Sequence, residues 1–485
     1  MSTQAHVAVD LGAESCRVSL LRWSNGIPEI RLVHRFPNSP ISERGGLRWD
    51  LENILLGVEK GLRLCANIAE EGIAAVGVDG WAVDYVRLMP DGKIAGNPFC
   101  YRDERTIAAE KEVRQRILPD RLYALTGIQL LSLNTLYQLY ADGPSATDQS
   151  AKWLNLPEFI TYRLGGKPVA EYTNATHTQL VSLGTHEWCE EIFKAAGLDL
   201  SAAPEIVPTG SVVGAMEGKL AGRPAFKNTK LIVPACHDTA SAIAGISADG
   251  DDWAFISSGT WSLVGTLLDS PCMHDAARSK NFTNLGGAGG KICFLKNVNG
   301  MWLLRQCLQH WESRGWKCDI AELIKECETL PAPDYCFDVD APGLLSSGDM
   351  PNKINAQRQH AGYQPFPEGD QGIALMVNSI FHSLALRYAS VLNDIADATK
   401  KKMTRLYIVG GGSKNDYLNR LTAERTGLEV LVGSSESSTV GNFAIQLAAL
   451  RGDMTAAGVK HSSVAQWAGV LGAQPVICSL EGAAR

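Results

Sequence analysis

The stretch His6-Val7-Ala8-Val9-Asp10-Leu11-Gly12-Ala13-Glu14-Ser15-Cys16-Arg17 decides the architecture. His6 to Asp10 reads as a short buried strand, Leu11 to Ser15 as a turn hinged on Gly12, and Arg17 to Trp23 as a returning strand. The same grammar recurs about half a chain later: Trp253 to Ser257 is strand, Ser258-Gly259-Thr260 is turn, and Trp261 to Leu268 is strand. Each half also carries a later strand that runs into glycine, Ala75 to Gly80 in the first and Leu406 to Gly412 in the second. Such a repeat predicts a duplicated α/β fold built to clamp a nucleotide. The N-terminal domain is expected over residues 1–245 and the C-terminal domain over 246–485, with the boundary near Gly245 to Asp252.

Helical periodicity fills the intervals. Leu51 to Glu70 places Leu51, Ile54, Leu55, Val58 and Leu62 at a spacing near 3.6, and Ile373 to Lys400 repeats apolar residues every three or four positions. Pro331 to Pro367 is the most loop-like region, with Ala221 to Asn228 a smaller one.

Composition narrows the function. The 485 residues carry a net charge of −7, which offers no polycationic surface for nucleic acid. No apolar run approaches the roughly 18–20 residues of a membrane span. The N-terminal stretch lacks the charged and apolar regions of a signal peptide, so a cytoplasmic location is expected. The 12 cysteines are scattered without a CxxC, which favours structural thiols over a disulfide frame or zinc site. HExxH and GxSxG motifs are absent, and Gly286 to Lys291 only approximates a P-loop because Leu285 stands where its first glycine belongs.

Glycine turns present successive backbone N–H groups to an anion, and serine or threonine hydroxyls add donors without bulk. Both Gly12-Ala13-Glu14-Ser15 and Ser257-Ser258-Gly259-Thr260 fit a phosphate, and Asp10 stands where it could hold a hydrated Mg²⁺. Asp238, after the buried-looking run Leu231 to Cys236, is the best acceptor for a proton from an attacking hydroxyl; its plainer role is a helix N-cap. Cys236-His237-Asp238 is a poor nucleophile triad, since adjacent side chains point in different directions. Trp81 with Asp79 and Asp84 is either a sugar platform or a core aromatic beside surface acids, and His177 and His186 show no partner pattern.

Asp10-Leu11-Gly12 with Ser15 and Arg17, Ser257 to Ser262, and Val409-Gly410-Gly411-Gly412 followed by Asn415 resemble the two phosphate motifs and the adenosine motif of the FGGY carbohydrate kinases. Further stretches extend the resemblance: Tyr101-Arg102-Asp103, Asn134 to Leu139, Glu171 to Thr176, His237 to Ser241, and Thr439 to Asn442 with Ile445-Gln446-Leu447. The resemblance implies a two-lobed actin-like ATPase fold, related to ribonuclease H, with a cleft between duplicated domains. It also implies ATP and Mg²⁺ as cofactors and a ketose as substrate, with no membrane or nucleic-acid partner. The sugar would be contacted by Ala82, His237, Asp238, Thr239 and Asn297, with Asp238 as the base. The nucleotide would be held by Ala13, Glu14, Ser15, Cys16, Arg17, Thr260, Arg305 and Gly411, with Asp10 near the metal. Ala82 and Cys16 stand where glycine is expected, and Arg305 where glutamine is expected. A non-catalytic sugar sensor, or a chaperone-like or acetate-type ATPase of the same fold, is the rival class.

Overall fold

The structure, a computed structural model, describes residues 4–143, 152–472 and 475–478. Residues 1–3 of the N-terminal stretch lie outside them. The chain forms two compact units, Met1–Ala248 with Leu267–Phe294 and Ser437–Gly472, and Asp249–Thr266 with Leu295–Glu436 and Ala473–Arg485. The first cut falls inside the expected boundary stretch, but each unit also draws on later pieces of chain.

In the first unit, β1 (Ala5–Leu11), β2 (Ser15–Ser24) and β3 (Ile27–Pro37) form an antiparallel meander. β4 (Ile73–Gly80) joins β1 in parallel, and β5 (Val212–Ala215) and β6 (Lys230–Ile232) complete the order β5-β6-β4-β1-β2-β3. Every residue of β1 is buried, as expected for a central strand covered on both faces. One cover is α1 (Leu51–Ile68), whose N-cap Asp50 accepts the Asn53 N–H at 3.0 Å and whose Leu51, Ile54, Val58, Leu62 and Cys65 are buried. The other apolar cluster joins Ala8, Leu21 and Ala240 to Val440, Phe443 and Ala444, from α2 (Asp238–Ala244) and a helix near the C-terminus, Ser437–Arg451.

The second unit repeats the hairpin. β7 (Trp253–Ser258) pairs antiparallel with β8 (Trp261–Leu268) and parallel with β10 (Arg405–Val409); its part of the sheet runs β9 (Ile292–Asn299), β8, β7, β10, β11 (Glu429–Val432), β12 (Val476–Ile477). A helix α3, Asp370–Thr399, precedes β10. The helix at Ser437–Arg451, which the chain enters after β11, is α4.

One expectation fails. Pro331 to Pro367 is not loop throughout, because Met350–His360 is a helix. Its N-cap Asp349 accepts the Asn352 N–H at 3.2 Å, and Met350, Ile354 and Arg358 form its buried edge. The Arg358 guanidinium lies 4.0 Å from the Phe366 ring and pairs with Asp334 at 3.0 Å, so a charged residue occupies a position that apolar periodicity would leave polar. Gly286 to Lys291 carries a 3₁₀ turn leading into strand β9 rather than a helix, which removes the P-loop geometry. None of the 12 cysteines is in a disulfide, and most are buried. No helix among the described residues is long and apolar enough to cross a membrane.

Candidate active site

Register builds the acidic centre of the first unit. Asp10 on β1 stands opposite Arg17 on β2 and Asp79 on β4, so three charged residues share one level of three adjacent strands. Arg17 donates from Nη1 to Asp10 Oδ2 at 2.7 Å. Over this level lies α4, whose Ser438, Asn442 and Gln446 recur at i, i+4, i+8. Ser438 Oγ donates to Asp10 Oδ2 at 2.9 Å, Asn442 Nδ2 to Asp79 Oδ2 at 2.5 Å, and Gln446 Nε2 to the Val7 carbonyl at 2.9 Å. Burial first, and then the Asp10 carboxylate beside it, push Asp79 well above the usual carboxylate range.

Asp238 occupies the first turn of α2, with His237 as N-cap residue, so the alternative of Asp238 as N-cap is displaced by one position. The strand before it, β6, ends at Ile232; Val233, Ala235 and Cys236 continue buried to the helix start. The Asp238 carboxyl accepts the Thr239 hydroxyl at 3.2 Å and lies 3.6 Å from His237 Nε2, beyond hydrogen-bond length. Desolvation and the neighbouring Asp10 push Asp238 up to about 7, although 35% of its side chain stays accessible and water moderates that shift. Cys236 is fully buried and its thiol is pushed well up by burial, which removes any nucleophile from the Cys-His-Asp sequence.

His177, which showed no sequence partner, packs edge-on against His237 with ring centroids 4.8 Å apart. Burial drives both imidazoles down, His177 to about 4, so both are neutral near pH 7. His186 instead packs against Tyr172, at 4.2 Å between ring centroids.

Trp81 is a core aromatic, as one of the two alternatives had it, but Asp79 and Asp84 beside it are buried rather than surface acids. Asp84 is wholly buried and accepts Trp49 Nε1 at 2.6 Å, Trp81 Nε1 at 2.9 Å, Gln138 Nε2 at 2.9 Å and the Tyr101 N–H at 3.1 Å. Its carboxylate is saturated and joins four separate segments. Ala82, 7% exposed, sits between this anchor and Val83, whose φ of 71° places a β-branched residue in the left-handed region. The Val83 carbonyl accepts the Thr135 hydroxyl at 2.7 Å, which helps hold that conformation. Asn174, in the Glu171 to Thr176 stretch of the resemblance, is fully buried with its Nδ2 on Glu158 Oε2 at 2.9 Å.

The nucleotide candidates fall in both units. Gly12 occupies the β1–β2 turn, where an added Cβ would lie 2.4 Å from the Ser15 carbonyl oxygen, so only glycine fits. Ala13, Glu14 and Ser15 complete that turn, and Glu14 is exposed. Cys16 points into the core, with burial pushing its thiol up to about 12. In the second unit, Gly259 and Thr260 accept the Met301 and Trp302 N–H groups at 3.0 and 3.2 Å, joining the β7–β8 turn to the start of helix Trp302–Ser313. Arg305 lies in that helix, partly buried, and burial lowers its pKa, which is unlike a freely solvated arginine. Gly410, at φ 85°, opens the turn after β10 against Ser258, and Gly411 is exposed with open space around its α-carbon. Asn297, partly exposed, lies on β9.

Two α/β units that each open with a glycine-turned hairpin and a parallel third strand define the actin-like class of phosphotransferase folds. The chain belongs to the FGGY family of carbohydrate kinases, whose N-terminal domain model matches residues 5–245 and whose C-terminal domain model matches residues 254–450. Among solved structures, it is similar to a ligand-bound xylulose kinase from Lactobacillus acidophilus, with TM-score 0.76, 17% identity and 96% of each chain covered. A gluconate kinase from the same organism gives the same values. Plasmodium falciparum glycerol kinase with ADP gives TM-score 0.73 and 14% identity over 96% of this chain and 92% of that one. The fold is that of the family's ATP-dependent sugar kinases, and its structural relatives act on several different polyols and sugars.

Proposed function

We propose that the protein transfers the terminal phosphoryl group of ATP to the 1-hydroxyl of L-rhamnulose, giving L-rhamnulose 1-phosphate and ADP. The carrying observation is Asp238: an acceptor whose carboxyl, about a third accessible, is pushed up to about 7 beside the Asp10–Arg17 pair. A base poised near neutrality takes the hydroxyl proton as the new O–P bond forms and the bond to ADP breaks. His237, neutral and wedged against His177, offers the substrate a hydrogen-bonding ring of fixed orientation. Ala82, Thr239 and Asn297 complete the proposed sugar contacts. Backbone donors of Ala13, Glu14, Ser15 and Cys16, with the side chain of Arg17, would hold phosphate, while Thr260, Arg305 and Gly411 would hold the rest of the nucleotide.

The donor set suits Mg²⁺, a hard cation that prefers carboxylate and water oxygens. Among the described residues no cluster of three His, Cys, Asp or Glu could hold a metal directly, so Asp10 would act through water. The metal would neutralise phosphate charge, and Arg17, paired with Asp10 at 2.7 Å, holds that carboxyl in place.

The sugar assignment draws on the stretches around Trp81, Asn174, His237 and Asn297, which resemble rhamnulokinase; Asn174 is buried and would act only by supporting the pocket. The fold's likeness to xylulose kinases favours another ketose as the second reading. A coupled ADP-release assay over L-rhamnulose, L-fuculose, D-xylulose, D-gluconate and glycerol tests both. The expected result is a kcat/KM for L-rhamnulose above those for glycerol and D-xylulose by on the order of 10²- to 10⁴-fold, since a site that pairs a hydroxyl strongly rejects analogues lacking it. A tenfold preference for L-fuculose or D-xylulose overturns the sugar assignment and leaves the kinase reading standing.

A further inference from the structure

Glu171 is a wholly buried carboxylate just before the helix Tyr172–His177, and it collects donors from three parts of the first unit. Its Oε2 accepts the Thr173 hydroxyl at 2.6 Å, the Thr173 N–H at 3.1 Å and the Cys236 N–H at 2.9 Å, while Oε1 accepts the Thr209 hydroxyl. Thr173 Oγ1 in turn accepts the His237 N–H at 3.4 Å. The two backbone N–H groups immediately before Asp238 therefore both hang on the Glu171–Thr173 pair. From the opposite side, Gly80 donates its N–H to the Cys236 carbonyl at 3.0 Å.

We propose that Glu171 is a positioning residue for Asp238: its buried carboxyl group, directly and through Thr173, fixes the Cys236–His237 backbone and so aims the base carried on the next residue. The inference rests on the reading of Asp238 as base. Burying a charge is costly unless it is well paired, and four or more hydrogen bonds are a heavy investment for a group that touches no surface. The neighbouring Glu158 accepts the Glu171 N–H at 3.1 Å and both Asn174 Nδ2 contacts, at 3.2 and 2.9 Å. Burial and then the Glu171 carboxyl push Glu158 up to about 8; burial raises Glu171 too, against the hydrogen bonds from Thr173, Thr209 and Cys236 that lower it. An amide in place of Glu171 would keep the shape but turn one acceptor into a donor, set against either the Cys236 N–H and Thr173 hydroxyl or the Thr209 hydroxyl.

The test compares Glu171→Gln, Glu171→Asp and Thr209→Val in the full chain, with ATP and L-rhamnulose, or D-xylulose if that is the ketose turned over. Thr209→Val removes a donor to Glu171 that does not lead to Asp238. Expected are a kcat for Glu171→Gln lower by on the order of 10- to 100-fold, as for a reacting group displaced by about 1 Å, an unchanged KM for ATP, partial rescue in Glu171→Asp, and near-normal kcat in Thr209→Val. The pH at which kcat/KM rises should also shift in Glu171→Gln, because Asp238 would change its distance to Asp10, Asp79, Arg17 and His237. A Glu171→Gln protein with lowered Tm but unaltered kcat and pH profile overturns the proposal. If Glu171→Gln does not fold, Thr173→Val, which cuts only the link to the His237 N–H and one donor to Glu171, carries the same expectation at smaller size. Loss of activity in Asp238→Asn together with full activity in these variants would refute the positioning role alone, whereas full activity in Asp238→Asn would refute the base.

Discussion

As the proposed base, Asp238 is held between opposing demands, since a base must be ionised to accept a proton while burial beside Asp10 favours the neutral acid. Asp238→Asn should lower turnover by on the order of 10²- to 10⁴-fold while leaving ATP affinity, measured by calorimetry, close to wild type. For the native enzyme, kcat/KM should rise with pH through about 7 as the carboxyl ionises, then level. The stability consequence has the opposite slope. A carboxyl whose folded pKa is raised favours the fold at low pH, and that favour is lost as pH rises through about 7, so Asp238→Asn should gain Tm over wild type at pH 8 and not at pH 4. The acid was legible in the sequence because His237-Asp238-Thr239 follows an apolar run and opens a small-residue helix. Glu171 and His177 were not legible in their roles: the Glu171 bond to Cys236 spans 65 residues, and nothing local to either residue signals its partner. Asp84 looked like a surface acid for the same reason, although three of its four donors, from Trp49, Tyr101 and Gln138, come from remote segments.

Two helices meet where glycine allows it. A Cβ on Gly441 of α4 would lie 1.9 Å from the Ser241 carbonyl oxygen and 2.8 Å from the Gly245 nitrogen, at the α2 end. Gly441→Ala should therefore force the two helices apart and lower stability by at least about 1–3 kcal/mol, measured by chemical denaturation. Because Ser438 and Asn442 flank that contact and hold Asp10 and Asp79, activity should fall with it. Elements with a strong apolar period, such as α1 and α3, and the hairpins with their glycine turns were readable from spacing alone. Met350–His360 was not, since its buried edge ends in an arginine and its remaining residues are polar. The face of α4 that carries Ser438, Asn442 and Gln446 is polar although Asn442 and Gln446 are buried and Ser438 half-buried, a pattern that periodicity of apolar residues does not register.

The first unit is assembled from chain that is far apart in sequence: Ala8, Leu21, Ala235 and Ala240 pack against Val440, Phe443, Ala444 and Trp467. A fragment of residues 1–245 would expose that cluster and leave Asp79 without Asn442 and Asp10 without Ser438. It should bind a hydrophobic dye and unfold without a cooperative transition, and adding a peptide of residues 437–472 should restore cooperativity. A fragment that melts sharply by itself would contradict this. The duplication was visible as two repeated hairpins, whereas the return of the chain after Ser437 was not, because nothing in α4 says which sheet it covers. That return also orders events during synthesis. At about 5–20 residues per second, the ribosome releases α4 tens of seconds after β1 has emerged. Throughout that interval the nascent chain presents an open apolar sheet face and a half-screened acidic ladder, so a chaperone able to shield this face is a natural companion of translation.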